Sequence, residues 1–273
     1  MTRAIRIMAG LFALLALAGG PRAGEPEPQR QALRVCADPD NLPYSHESGV
    51  GFENRIAQLV ADELKLPLAY EWLPDRRGFV RKTLGARLCD VIIGVPADFE
   101  RTLNTRPYYR SSYVLVERAS EAGAMASFDD PRLSRLRIGV QLIGNDLAAS
   151  PPGYALVRHG HVTNVRGYPM AGEQPAAARM VAALARGEID AALLWGPQAG
   201  YFARHAVAPM RVRVIHAPPD LAGQPFEFSI AMGVRRGDEA LRQTLDEVIR
   251  RRRADIERIL AEYAVPLVKE AGS

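Results

Sequence analysis

Three short apolar segments, 33–37 (LRVCA), 68–72 (LAYEW) and 89–95 (CDVIIGV), alternate with two helical patterns. Between the first two, GFENRIAQLVADELKL puts Ile56, Leu59, Val60 and Leu64 on one helix face. Between the second and third, RRGFVRKTLGARL reads as a less regular helix. The third segment is almost wholly apolar, which suits a strand covered on both faces. This β-α-β-α-β order constrains the chain strongly. Parallel strands need long crossovers, and those crossovers lay helices on both faces of one sheet.

SYVLVER (112–118) adds a strand, and the pattern then restarts. LRIGV (136–140) is strand-like, QLIGNDLAAS is a turn before a short helix, and HVTNVRGY holds another strand. PAAARMVAALARGE is a helix ending near Gly187, and IDAALLW (189–195) is a buried strand. FEFSIAMGV (226–234) is a late strand, and 239–263 carries Leu241, Leu245, Val248, Ile249, Ile256, Ile259 and Leu260 at helical spacing. Two similar α/β units predict two lobes. The expected division is 31–117 with 230–273 for one lobe and 118–229 for the other.

With 273 residues, each lobe can have its own core. Residues 1–24 read as a signal peptide: Arg3 and Arg6 precede an apolar run, 7–20, too short to span a membrane comfortably, and small residues follow. No cysteine lies there, so a lipid anchor is not indicated. The protein is therefore expected in the periplasm, with no membrane segment after cleavage. Removing Arg3, Arg6 and Arg22 leaves 32 Lys and Arg against 31 Asp and Glu, a net charge of +1. That balance gives no reason to expect a nucleic-acid partner. Cys36 and Cys89 are the only cysteines. In an oxidising compartment they are expected to form one disulfide; two buried thiols are the other reading.

The sequence holds no Walker loop, HExxH, CxxC or GxSxG. His159 and His161 stand in a polar turn without a matching ligand cluster and read as surface histidines. No catalytic residue, metal or cofactor is expected. Ligands of open α/β sheets bind beyond the carboxyl ends of the strands. The loops after the strands therefore nominate Asp38 and Tyr44, Arg101, Gly144 and Asn145, and Trp195 as cleft residues. Arg76 and Arg77 are candidates for an anion or a partner protein. For each there is a plainer reading: turn chemistry for Asp38, Gly144 and Asn145, a solvated helix start for the two arginines, and core packing for Trp195. Arg250 to Arg253 reads as a solvated helix face.

Several of these blocks together resemble one family. LRVCADPDNLPYS, CDVIIGVPA, TRPYYRSSYV, RIGVQLIGND, GEIDAALLWGPQAGYFA and SIAMGVRRGDEALR are similar to the MxaJ/XoxJ proteins. These are solute-binding-protein-like partners of pyrroloquinoline quinone (PQQ) methanol dehydrogenases. The resemblance implies a type II periplasmic binding protein fold with two α/β lobes. It also implies a monomeric accessory protein that contacts the dehydrogenase, with the dehydrogenase's cytochrome c as a further partner. A solute receptor of an ABC importer is the alternative.

Amino-acid-binding relatives resemble G-x-T-x-x-x-x-R…F-S-x-P-Y-Y on one lobe and D-A-x-x-x-D on the other. Here Asp190 begins the second motif, but its sixth position is Trp195, and an indole cannot pair with an ammonium. Arg101 keeps its distance from Gly94, yet the link to Pro107 is short and Arg106 precedes that proline. An amino-acid clamp is therefore not expected. Tyr44, Tyr108, Tyr109 and Trp195 are expected to wall a cleft that takes a peptide or a small apolar ligand.

Overall fold

The structure is a computed structural model, and it describes residues 30–269 except 122, 124–126, 144–147, 171 and 173. The expected signal peptide and the Gly144-Asn145 turn lie outside the described residues.

The first unit runs Leu33–Ala37 (β1), Asp40–Asn41 (β2), Ser45–His46 (β3), Phe52–Leu64 (α1), Leu68–Trp72 (β4), Phe79–Lys82 (α2), Val91–Pro96 (β5), Leu103–Asn104 (β6) and Tyr109–Arg118 (β7). The second runs Ile138–Ile143 (β8), Ala148–Ala149 (β9), Pro151–Arg158 (α3), Val165–Pro169 (β10), Ala176–Ala185 (α4), Ala191–Trp195 (β11), Gly196–Arg204 (α5) and Met210–Val214 (β12). Glu227–Val234 (β13), Glu239–Arg251 (α6) and Arg253–Glu262 (α7) complete the chain.

The main sheet path is β10-β8-β11-β7-β13-β5-β1-β4. β1 is parallel to β4 and β5, and β8 is parallel to β10 and β11. β7 and β13 join these two parallel groups in antiparallel fashion. Tyr109–Ser112 of β7 pairs with Glu227–Ile230, whereas Tyr113 onward pairs with β11 and β12. At that crossover Ser111 and Ser112 are fully buried. Ser111 Oγ donates to Pro266 O at 2.6 Å, and Ser112 Oγ lies 3.2 Å from both Ile215 O and Phe226 O. Small hydroxyls with partners suit strands that approach closely, because a buried hydroxyl without one is costly.

Each parallel group carries the same ion pair. Arg34 Nε and Nη2 reach Asp90 at 3.0 and 2.7 Å, and Arg137 Nε and Nη2 reach Asp190 at 3.0 and 2.6 Å. In return, Asp90 N donates to Arg34 O and Asp190 N to Arg137 O. Each aspartate closely precedes an apolar strand, β5 or β11, so its carboxylate forks onto the arginine of the neighbouring strand. Asp190, the first residue of the amino-acid-binding motif, is thus structural.

α1 lays Phe52, Ile56, Ala57 and Val60 on β1 and β5, with Leu245, Val248 and Ile256 closing the same core. On β7, Leu115 enters one core while Val114 and Val116 enter the other. That alternation is what a strand buried on both faces requires. The disulfide joins Cys36 and Cys89, whose Cα atoms are 5.5 Å apart; it ties β1 to the residues leading into β5.

Three regions differ from expectation. The helix expected over RRGFVRKTLGARL shrinks to α2, because Gly78 takes φ +92° just before it and Thr83 Oγ1 bonds back to Phe79 O at 2.8 Å. The single C-terminal helix is two, broken at Arg252. Glu63 of α1 holds both Arg251 and Arg252 there, at 3.2 and 3.0 Å, and α7 packs on α1. The four arginines are accordingly laced to acids: Arg250 pairs with Glu247 and Arg253 with Glu257. Finally, α5 and β12, which the periodicities did not suggest, follow β11 directly.

Candidate functional site

A cavity of about 190 Å³ opens beyond the carboxyl ends of β1 and β5. Asp38, Tyr44, Glu53, Asp75, Tyr109 and Trp195 are among its lining residues.

Asp38 follows β1 and is tied down at once. Its Oδ1 accepts from Asp40 N at 2.9 Å and its Oδ2 from Asp75 N at 2.6 Å, while Ser45 Oγ donates to Asp38 O at 2.8 Å. Tyr44, half-buried, packs on Phe52 at 5.4 Å. Burial pushes its phenol well above the usual range; Glu53 and Tyr113 add to that, and a hydrogen bond with Trp195 works against it. Trp195 ends β11 and caps α5, with ring centroids 5.4 Å from Tyr113 and 5.6 Å from Phe228. Its indole therefore faces both cores and the cavity.

Glu53 is the residue that the motifs did not flag. It sits in the first turn of α1, lining the cavity, and no hydrogen bond or ion pair to its carboxyl occurs among the described residues. Loss of solvent, with repulsion from Asp75, raises its pKa to about 8. Near neutral pH it is mostly protonated and can donate a hydrogen bond. The sequence held a signal: Glu53 stands at position i of the apolar set Ile56, Ala57 and Val60, so an acid occupies the buried stripe. Asp75 is also shifted upward, by partial loss of solvent and then by Asp38. It was overlooked beside Arg76 and Arg77.

The expected site residues separate. Asp38, Tyr44, Tyr109 and Trp195 meet at the cavity. Tyr108 does not: it turns into the core and donates from Oη to Ile93 O at 3.1 Å. The two rings are equally buried and meet edge to face, with centroids 5.1 Å apart, yet only Tyr109 reaches the cavity wall. Arg77 and Arg101 line a different groove, and Arg76 is exposed. The chain after β5 makes turns at 97–101 in place of a helix, pinned by Asn104 Nδ2 donating to Ala97 O at 3.0 Å and Phe99 O at 2.9 Å. Arg101 leaves those turns away from the cavity.

His159 is not a free surface histidine. Its Nδ1 lies 2.7 Å from Asp129 and its Nε2 3.4 Å from Asp220. Among the described residues no group of three or more His, Cys, Asp or Glu is placed to hold a metal ion, and no helix is long and apolar enough to cross a membrane. The cavity is lined by the carboxyls of Asp38, Glu53 and Asp75 and by the rings of Tyr44, Tyr109 and Trp195. That pairing suits a group with a hydrogen-bond donor or positive end and an apolar body.

Residues 33–265 match the bacterial extracellular solute-binding proteins, family 3. Protein MoxJ of Methylorubrum extorquens AM1 is 31% identical over 97% of this chain and 94% of its own length. The crystal structure of the periplasmic binding protein XoxJ from Methylobacterium extorquens AM1 superposes with a TM-score of 0.73 at 43% identity, covering 88% of this chain and all of that one. MxaJ from Methylophaga aminisulfidivorans MPT superposes with the same score at 23% identity, over 87% of this chain and all of its own, which speaks to the fold. The chain belongs to the family 3 solute-binding proteins, with the type II periplasmic binding protein fold, and within them to the MxaJ/XoxJ group.

Proposed function

We propose that this protein is a periplasmic accessory protein of a PQQ-dependent methanol dehydrogenase system, which it serves by binding the dehydrogenase directly during maturation or activity. The reading takes the two lobes as 31–117 with 230–273, and 118–229. The observation that carries it is the make-up of the cavity. An indole, Trp195, stands where amino-acid receptors have a carboxylate, and the clamp arginine, Arg101, lies in another groove. What remains is an aromatic pocket suited to a side chain or short segment of a protein. Its likeness to MoxJ and XoxJ supplies the context. Crosslinking and co-purification with the dehydrogenase test it. Contact that weakens in W195A and Y44A supports it; no contact at micromolar concentrations, with normal dehydrogenase maturation in a strain lacking this protein, overturns it.

One observation favours a second reading. Asp38 and Asp75 bring carboxylates to the cavity, as a receptor for a small organic cation would need, beside the protonated Glu53. Native mass spectrometry of freshly purified protein separates the two: a retained small cation supports the receptor.

A further inference from the structure

Beside the cavity, α2, the turns after β5 and the loop after β13 line a separate groove of about 930 Å³; Phe79 of α2 faces the cavity, and Val80 and Arg81 the groove. Arg77, Arg81, Lys82, Arg87, Arg101 and Arg236 all line it, and no acidic residue does. None of the first five has an ion pair among the described residues, and all six are exposed. The groove is also built. Arg235 sits in its wall with its guanidinium 3.3 Å from Asp90 and 3.6 Å from Asp238. Arg236 donates to Glu100 O, which holds the head of that side chain beside Arg101. Val80, half-buried, and the largely buried Leu84 add apolar lining.

So many cations converging on a chain that is otherwise nearly balanced raise one another's energy, and an anionic occupant relieves it. The loop that joins β4 to α2 divides the charge: Asp75 goes to the cavity and Arg77 to the groove. Arginine predominates, and its planar fork matches carboxylates in pairs. The groove is far larger than a single small anion, and its lining includes the apolar Val80 among the cations. A flat layer of lipid headgroups would meet the cations alone, whereas a polypeptide segment with alternating acidic and apolar side chains meets both the cations and the apolar lining.

We infer that this groove is a docking site for an Asp/Glu-rich segment of a partner protein, distinct from the cavity at Trp195. It is independent of what occupies that cavity, so its test can fail while the reading of the cavity stands.

The test uses the full mature chain and a labelled Asp/Glu-rich peptide with interspersed leucines. The same peptide with Asn and Gln in place of the acids is the control, and phosphatidylglycerol vesicles are a third probe. The acidic peptide is expected to bind and the amide peptide not. Binding should fall steeply between about 50 and 300 mM salt. R81E/R101E should weaken it at least about tenfold, while R250E/R253E, with the same change in net charge on the C-terminal helices, should leave it unchanged. Thermal unfolding of both variants confirms that they fold. Equal binding of the amide peptide, no effect of R81E/R101E, equal loss in both variants, or binding to vesicles without binding to peptide would each overturn the proposal.

Discussion

Glu53 lies directly against Gly94: a Cβ added at Gly94 would overlap the Glu53 carboxyl, with Cδ only 2.9 Å away. Gly94, within β5, is thus the seat of the unpaired acid in the buried stripe of α1. G94A should force Glu53 out of place and destabilise the protein by about 1–3 kcal/mol. G94A/E53A should recover most of that loss relative to E53A alone. A double-mutant cycle by urea denaturation measures it, and additive effects would mean that the contact is not the cause.

Glu53 should also make stability depend on pH. Its pKa is about 8 in the folded chain, above the usual carboxylate range. The folded state therefore holds this proton more tightly than the unfolded state. The stabilisation is complete below the unfolded value and is lost as pH rises through about 8. Its slope is at most about 1.4 kcal/mol per pH unit. Asp75 moves in the same direction; Asp190, lowered by its hydrogen bond to Arg137, acts in the opposite sense and only in acid. Urea midpoints between about pH 5 and 9 should decline in the wild type and flatten in E53Q. An unchanged slope in E53Q would assign the decline elsewhere.

The paired ion clamps should differ in cost. Asp90 is 2% exposed and Asp190 19% exposed at the side chain. D90A leaves Arg34 and Arg235 without their shared partner and should cost about 3–5 kcal/mol. D190N, nearer solvent, should cost about 1–3 kcal/mol. Chemical denaturation ranks them, and the reverse order would contradict the burial argument.

Reducing the Cys36–Cys89 bridge opens a covalent loop with a sequence separation of 53. Reduction, or C36A/C89A, should lower stability by about 2–4 kcal/mol. Thermal melts with and without reductant read this directly. Titration of the native oxidised protein should find no free thiol.

W195D restores a carboxylate at the sixth position of the lobe-two motif. No amino-acid binding should result, because Arg101 is in the basic groove and not in the cavity. Calorimetry with acidic, neutral and basic amino acids checks this; micromolar binding by W195D would show that Arg101 can reach the cavity.

Local patterns carried much of this protein. The segments expected as strands at 33–37, 68–72 and 189–195 contain β1, β4 and β11; β1 and β11 are buried as continuous apolar runs require, while β4 at the sheet edge is only half-buried. The two cysteines form a bridge because β1, which bears Cys36, neighbours β5, which Cys89 closely precedes. Asp38 and Tyr44 beyond β1, and Trp195 at the end of β11, line the cavity, since strand ends fix where the following residues lie.

Direction was what the one-dimensional pattern lacked. Tyr108 and Tyr109 share one core with ring centroids 5.1 Å apart, yet only Tyr109 lines the cavity, while Tyr108 Oη donates to Ile93 O. Asp75 and Arg77 part, one to the cavity and one to the basic groove. Arg101 kept its spacing from Gly94 and still left the site, because Asn104 pins turns where a helix would have aimed it inward. Periodicity and composition settle which segments are strands and helices, as those depend on near neighbours. Which way a side chain leaves a turn depends on hydrogen bonds from residues that only the fold brings close, and here that decided where the charges went.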